Sequence, residues 1–104
     1  MDLVSVLYDF YLGAMSQAAR GGLNLGQLRS LQRFEKKLPR GAGPTTIRDL
    51  PLGGKAFQAE VPGRIPGFKA IYEKQVDAAG NTILYTKTTV ASDGSIVHVK
   101  QKFP

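Results

Sequence analysis

A chain of 104 residues with 42% hydrophobic side chains can close one modest core, so a single domain over 1–104 is expected. The absence of cysteine excludes a disulfide framework and thiolate metal ligation; with one histidine and no carboxylate cluster, no protein-built zinc site is expected either. Fourteen Lys and Arg against eight Asp and Glu give a formal charge of +6, which favours an anionic partner: RNA, DNA, a membrane surface or an acidic protein.

Leu3, Leu7, Phe10, Tyr11, Ala14, Met15 and Ala18 recur at helical spacing and predict a first helix, stopped by Gly21-Gly22. The Leu3–Met15 stretch is interrupted by Ser5, Asp9 and Gly13 and falls short of the about 20 apolar residues a membrane span needs. It opens on Asp2, where a secretory signal would be basic, and reads as a buried helix, with insertion into a membrane as the alternative. A second helix starts at Asn24, whose side chain can cap it, with Gln27 three residues on and Leu23 and Leu28 placed to form a hydrophobic staple. Leu25, Leu28, Leu31, Phe34 and Leu38 form its apolar stripe, and Pro39 ends it. Residues 39–54 are rich in glycine and proline and read as an ordered loop that buries Ile47, Leu50 and Leu52.

From Lys55 onward the pattern is β. Lys55–Val61, Lys69–Val76, Thr82–Val90 and Ser95–Phe103 are the predicted strands, joined by a Pro62–Gly67 loop, an Asp77–Gly80 turn and a hairpin at Asp93-Gly94. Short connections place sequential strands side by side. The expected fold is therefore α+β: two N-terminal helices, over about 3–38, packed on a four-stranded antiparallel meander over 55–103, with the second sheet face left to solvent.

The last strand carries the chemistry. Val97, Val99 and Phe103 point one way, and His98, Lys100 and Lys102 the other, so the only histidine shares a face with two lysines. A two-residue turn at Asp93-Gly94 sets Thr89 opposite His98, Lys87 opposite Lys100 and Tyr85 opposite Lys102. A three-residue turn with a bulge sets Thr88 opposite His98 and Thr86 opposite Lys100. The first keeps Lys87 out of the core and is preferred. The open face then holds Tyr85, Lys87, Thr89, His98, Lys100 and Lys102, joined by Glu73 or its neighbours Tyr72 and Lys74.

Metal-free RNA cleavage needs a base for the 2′-hydroxyl, an acid for the departing 5′-oxygen, and cations for the charged phosphorane. His98 can be base or acid, Lys87 and Lys100 can hold the phosphate, and Tyr85 can hydrogen-bond or stack on a base. Thr89 completes the row, and Glu73 or Glu60 can be the second acid-base group. Arg29, Arg33 and Lys37 recur at i, i+4 and i+8 on the second helix, a spacing that costs helix stability and suits a phosphate-gripping arm. With Lys55, Arg64 and Lys102 they are the candidate nucleic-acid contacts. Gly53-Gly54-Lys55 lacks the upstream glycine and following Ser/Thr of a phosphate loop, and nothing points to a nucleotide or flavin site, so no cofactor is expected.

The run Gly54–Gly67 (GKAFQAEVPGRIPG), followed by Tyr72–Gly80 (YEKQVDAAG), Tyr85–Thr89 (YTKTT), Asp93-Gly94 and Ile96–Lys100 (IVHVK), resembles the C-terminal toxin modules of bacterial polymorphic toxins of the Rhs and contact-dependent inhibition type. The similarity covers roughly residues 40–103. Two helices followed by a four-stranded antiparallel sheet also resemble the barnase, EndoU, colicin D and RelE group of metal-independent ribonucleases. That resemblance implies sheet-face chemistry by His98, Lys100, Lys87, Thr89 and Tyr85; the chain departs from the group's pattern in lacking a second histidine and a clearly placed glutamate. It further implies the tip of a larger secreted protein that acts in interbacterial competition, cleaves tRNA or another RNA in the target-cell cytoplasm, and is neutralised by an acidic immunity protein. The alternatives are a non-catalytic nucleic-acid-binding module, and a membrane-active toxin using Leu3–Met15.

Overall fold

Asn24 starts the helix found among residues 22–103, the part of the chain that the computed structural model describes. This helix, α1, spans Leu25–Lys36, and the capping box expected of Asn24 and Gln27 is formed: the Gln27 amide donates to Asn24 Oδ1 at 2.9 Å, and the Asn24 amide to Gln27 Oε1 at 3.3 Å. The helical backbone gives out at Lys37, two residues before Pro39. The helix predicted over Leu3–Ala18 lies outside the described residues.

Five antiparallel strands follow in simple meander order: β1 (Thr46–Asp49), β2 (Lys55–Pro62), β3 (Lys69–Val76), β4 (Thr82–Val90) and β5 (Ile96–Phe103). The last four match the predicted strands to within a residue at each end. The first was expected to be loop. It is only four residues long in a Gly/Pro-rich connector, and pairing rather than pattern creates it, with Ile47 opposite Phe57 on the rim of the core.

The core lies between α1 and one face of β2 and β3. Leu31 and Phe34 are fully buried against Phe57, Ala59, Val61, Ala70, Tyr72 and Val76. The Phe34 ring centroid lies 6.2 Å from that of Phe57 and 5.9 Å from that of Tyr85. Leu23 and Leu28 pack onto the same cluster.

The start of α1 docks on the β3–β4 turn through backbone contact. The Gln27 side-chain amide donates to Gly53 O at 2.9 Å and Asp77 O at 3.2 Å, and Asn24 Nδ2 donates to Ala78 O. Gly26 and Gly80 meet here: a Cβ on Gly80 would lie 2.3 Å from Gly26 C, and φ at Gly80 is +92°. Gly80→Ala thus adds a backbone clash to a left-handed conformation. It is expected to destabilise the fold by about 1–3 kcal/mol, measurable as a lower urea midpoint.

The β4–β5 hairpin combines both turn alternatives. Gly94 N donates to Ala91 O, and Ala91 N to Ser95 O, each at 2.9 Å, with Gly94 at φ +88°; this is the three-residue loop. A second irregularity between Thr89 and Val90 restores the preferred register, so Val90 pairs with Ile96 but Thr89 with His98.

Candidate nucleic-acid interface

Directly paired residues of neighbouring strands share a face, so register builds the site in rows. Ala70, Thr89 and His98 form one row, and Tyr72, Lys87 and Lys100 the next. Lys74, Tyr85 and Phe103 form the third, where a bulge between Tyr85 and Thr86 puts Phe103, rather than the expected Lys102, opposite Tyr85. Both Lys102 and Phe103 nevertheless line the depression at this end of the sheet.

The sequence reading left this face to solvent and put the helices on the other. That is corrected: α1 lies on the same face, because its apolar stripe packs on Phe57 and the ring bodies of Tyr72 and Tyr85. The helix lies mainly over β2 and β3 and reaches β4 at Tyr85, and β5 is exposed along its whole length. His98 and Lys100 therefore stand clear beyond the helix edge, while Lys102 reaches back over Tyr72.

The lysines converge. Lys87 Nζ lies 5.8 Å from the Tyr72 ring centroid, and Lys102 Nζ lies 5.8 Å from the Tyr72 centroid and 5.9 Å from that of Tyr85. Tyr72 also divides two adjoining depressions. One, of about 480 Å³, is walled by Arg40, Arg64, Phe68, Lys87 and Thr89. The other, of about 660 Å³, is walled by Arg33, Lys37, Lys74, Lys102 and Tyr85. No carboxylate among the described residues lines either. Burial, then the neighbouring Tyr72, pushes the Tyr85 phenol above its usual range.

Four sequence candidates fall outside this cluster. Glu73 projects from the opposite face of β3, where it accepts from Arg48 Nη1 at 2.8 Å and Gln75 Nε2 at 2.8 Å. The hydrogen bond from Arg48 holds its carboxyl below the usual range, and burial opposes that. Glu60, also on the opposite face, accepts from Lys69 Nζ at 3.2 Å. Lys55 is bound to Asp49 at the far end of β2. Arg33 on α1 and Lys37 at its C-cap reach the larger depression, whereas Arg29, one turn back on α1, is exposed and outside its walls.

Tyr72 and Lys74 take the place that Glu73 was expected to share. Alternation along Lys69–Val76 identifies both once the core face is known, since Ala70, Tyr72, Lys74 and Val76 are all buried. Glu73→Gln is accordingly expected to leave activity at this face unchanged. Its depressed carboxyl contributes stability that is present above the unfolded-state carboxylate range and lost as pH falls through the folded-state value. The variant's thermal stability should therefore fall less on acidification than that of the wild type.

Among the described residues, no group of acidic or histidine side chains is placed to hold a metal ion, and no helix is long and apolar enough to cross a membrane. No protein-family model, curated protein or solved structure matches the chain.

Proposed function

We propose that the chain is a metal-independent RNA-cleaving toxin domain whose chemistry takes place at His98, Lys87 and Lys100. The observation that carries this reading is the placement of the only imidazole beside two ammonium groups on an uncovered, carboxylate-free part of the sheet. A phosphodiester laid along β5 meets Lys100 and Lys87 side by side in one row and His98 with Thr89 in the next. His98 removes the 2′-hydroxyl proton, and the 2′-oxygen attacks phosphorus. Lys87 and Lys100 offset the charge that builds on the phosphoryl oxygens. As the bond to the 5′-oxygen breaks, the imidazolium returns a proton to that oxygen, leaving a 2′,3′-cyclic phosphate and a free 5′-hydroxyl. With Glu60 and Glu73 on the other face, one imidazole serves both proton transfers. Arg64 and Arg40 share a depression with Lys87 and Thr89 and are in reach of the flanking backbone.

The likeness of the sequence to polymorphic toxin modules supplies the setting: secretion as the tip of a larger protein, action on tRNA or another RNA in the cytoplasm of a competing cell, and an acidic immunity protein that covers the basic face. Incubation of the purified chain with total RNA in EDTA tests the reading. Strand scission that survives the chelator and ends in cyclic phosphates is expected. Intact RNA, retarded by the protein in a salt-dependent way, would instead mark a binding module.

A further inference from the structure

The larger depression holds a buried lysine that the cleavage chemistry does not use. Lys74 is only 6% exposed, projecting from β3 beneath the C-terminal half of α1. Its ammonium donates to Ser30 O at 3.3 Å, and no carboxylate among the described residues reaches it. An ammonium has three protons to donate, so one carbonyl leaves most of its capacity unused. Arg33 on α1, Lys37 at its C-cap and Lys102 on β5 wall the same space, together with Tyr72 and Tyr85. Burial, then the charges of Arg33 and Lys37, pushes the Lys74 amine below the ordinary lysine range.

Buried cations are ordinarily paired. Here one buried ammonium, Lys74, shares its depression with three exposed cations, Arg33, Lys37 and Lys102, and no carboxylate among the described residues lines it. The desolvated Lys74 ammonium, with donors to spare and cations around it, is a group that an external anion would stabilise.

We infer that the depression around Lys74 is a phosphate-binding subsite, distinct from the His98 centre, that grips the RNA backbone a few nucleotides from the bond that is cut. The inference rests on the RNA reading for the identity of the anion, and on the lysine cluster alone for its existence. Continuity along β5 favours nucleic acid over an acidic protein. Lys102 lies two residues from Lys100 on the same face and leans over Tyr72, so the cationic surface runs unbroken from one centre to the other. The His98 and Lys74 rows lie four residues apart along the sheet, about 13 Å, a distance covered by roughly two to four nucleotides.

Two measurements on the full chain separate the subsite from the cleavage reading. The first uses inorganic phosphate and no RNA. Phosphate should raise the Tm of the wild type by several degrees and leave that of Lys74→Met unmoved, because the bound anion stabilises only the chain that can hold it. Without phosphate, Lys74→Met should itself melt higher than wild type, since an isosteric apolar chain replaces a desolvated charge. Lys102→Gln, altered at an exposed position, should show a weakened phosphate response and serves as the second variant. The second measurement is kinetic, with an oligoribonucleotide of several phosphates. Lys74→Met should raise KM about tenfold, with the smaller change in kcat, and lower the salt slope by about one.

Equal phosphate stabilisation of wild type and both variants overturns the subsite, even where RNA is cleaved. Phosphate stabilisation that needs Lys74, in a chain that leaves RNA intact, keeps the anion site and overturns its assignment to RNA. Protection by a poly-glutamate peptide in place of phosphate would assign the surface to an acidic protein and reject the nucleic-acid subsite.

Discussion

His98→Ala is expected to lower RNA cleavage by about 10²- to 10⁴-fold, the usual contribution of a positioned acid-base group. The upper part of that range applies because no other acid-base side chain among the described residues shares the centre with a carboxylate's chemistry: Glu60 and Glu73 face the other way, each tied to a cation. His98 is exposed and contributes little packing, so the variant's Tm should stay within the equivalent of about 0.5 kcal/mol of wild type. Its affinity for a non-cleavable 2′-deoxy oligonucleotide should also be nearly unchanged, since Lys87, Lys100 and Lys102 supply the phosphate contacts. Activity, melting temperature and affinity together separate chemistry from binding and from folding. An alanine variant that cleaves as fast as wild type would remove His98 from the mechanism and leave the surface as a binding site.

Much of this arrangement was legible in the sequence. Strict alternation from Ile96 to Lys102 told which residues share a face, but not Phe103, which was expected beside Val97 and Val99 and is carried by a bulge opposite Tyr85; the β-rich runs gave four strand boundaries because Asp77–Gly80 and Asp93-Gly94 punctuate them. The Asn24–Gln27 cap was readable because capping is a local interaction. Longer-range features were not. A four-residue strand inside a Gly/Pro-rich connector has no periodicity to detect, and β1 exists only because Lys55–Gln58 offers an edge. Choosing the face under the helix required knowing that Tyr72 and Tyr85 act as apolar bodies. Each has a polar tip, and alternation alone treats the tip and the ring alike. The same ambiguity hid Lys74: in sequence it is one more strand lysine, and only the docking of α1 above it makes it buried. The β4–β5 register came out as expected at Thr89–His98 and Lys87–Lys100 because the bulge at Thr89–Val90 offsets the three-residue loop, and a further bulge then moved Tyr85 from Lys102 to Phe103, which no single-turn rule anticipates.

Phe34→Ala is expected to cost about 3–5 kcal/mol, measured as the fall in unfolding free energy in urea. Phe34 is fully buried and joins the helix to the sheet at two places, with its ring against Phe57 on β2 and Tyr85 on β4. Truncation leaves a cavity that neither neighbour fills without moving the helix. For a domain of this size the loss is a large part of the total, typically about 5–15 kcal/mol, so a measurable unfolded fraction is expected on warming. The same residue walls the cationic depression beside Lys74, and its loss frees α1 to shift Arg33 and Lys37 relative to Lys102. Activity at low temperature, where the variant remains folded, should therefore fall through KM more than through kcat, because His98 and Lys100 stand on β5 beyond the helix edge. Phe34→Leu, which keeps most of the volume, should recover the greater part of both stability and KM. If Phe34→Ala unfolds at the wild-type urea concentration, α1 is not anchored on the sheet through this ring, and the cationic wall it presents would need another support.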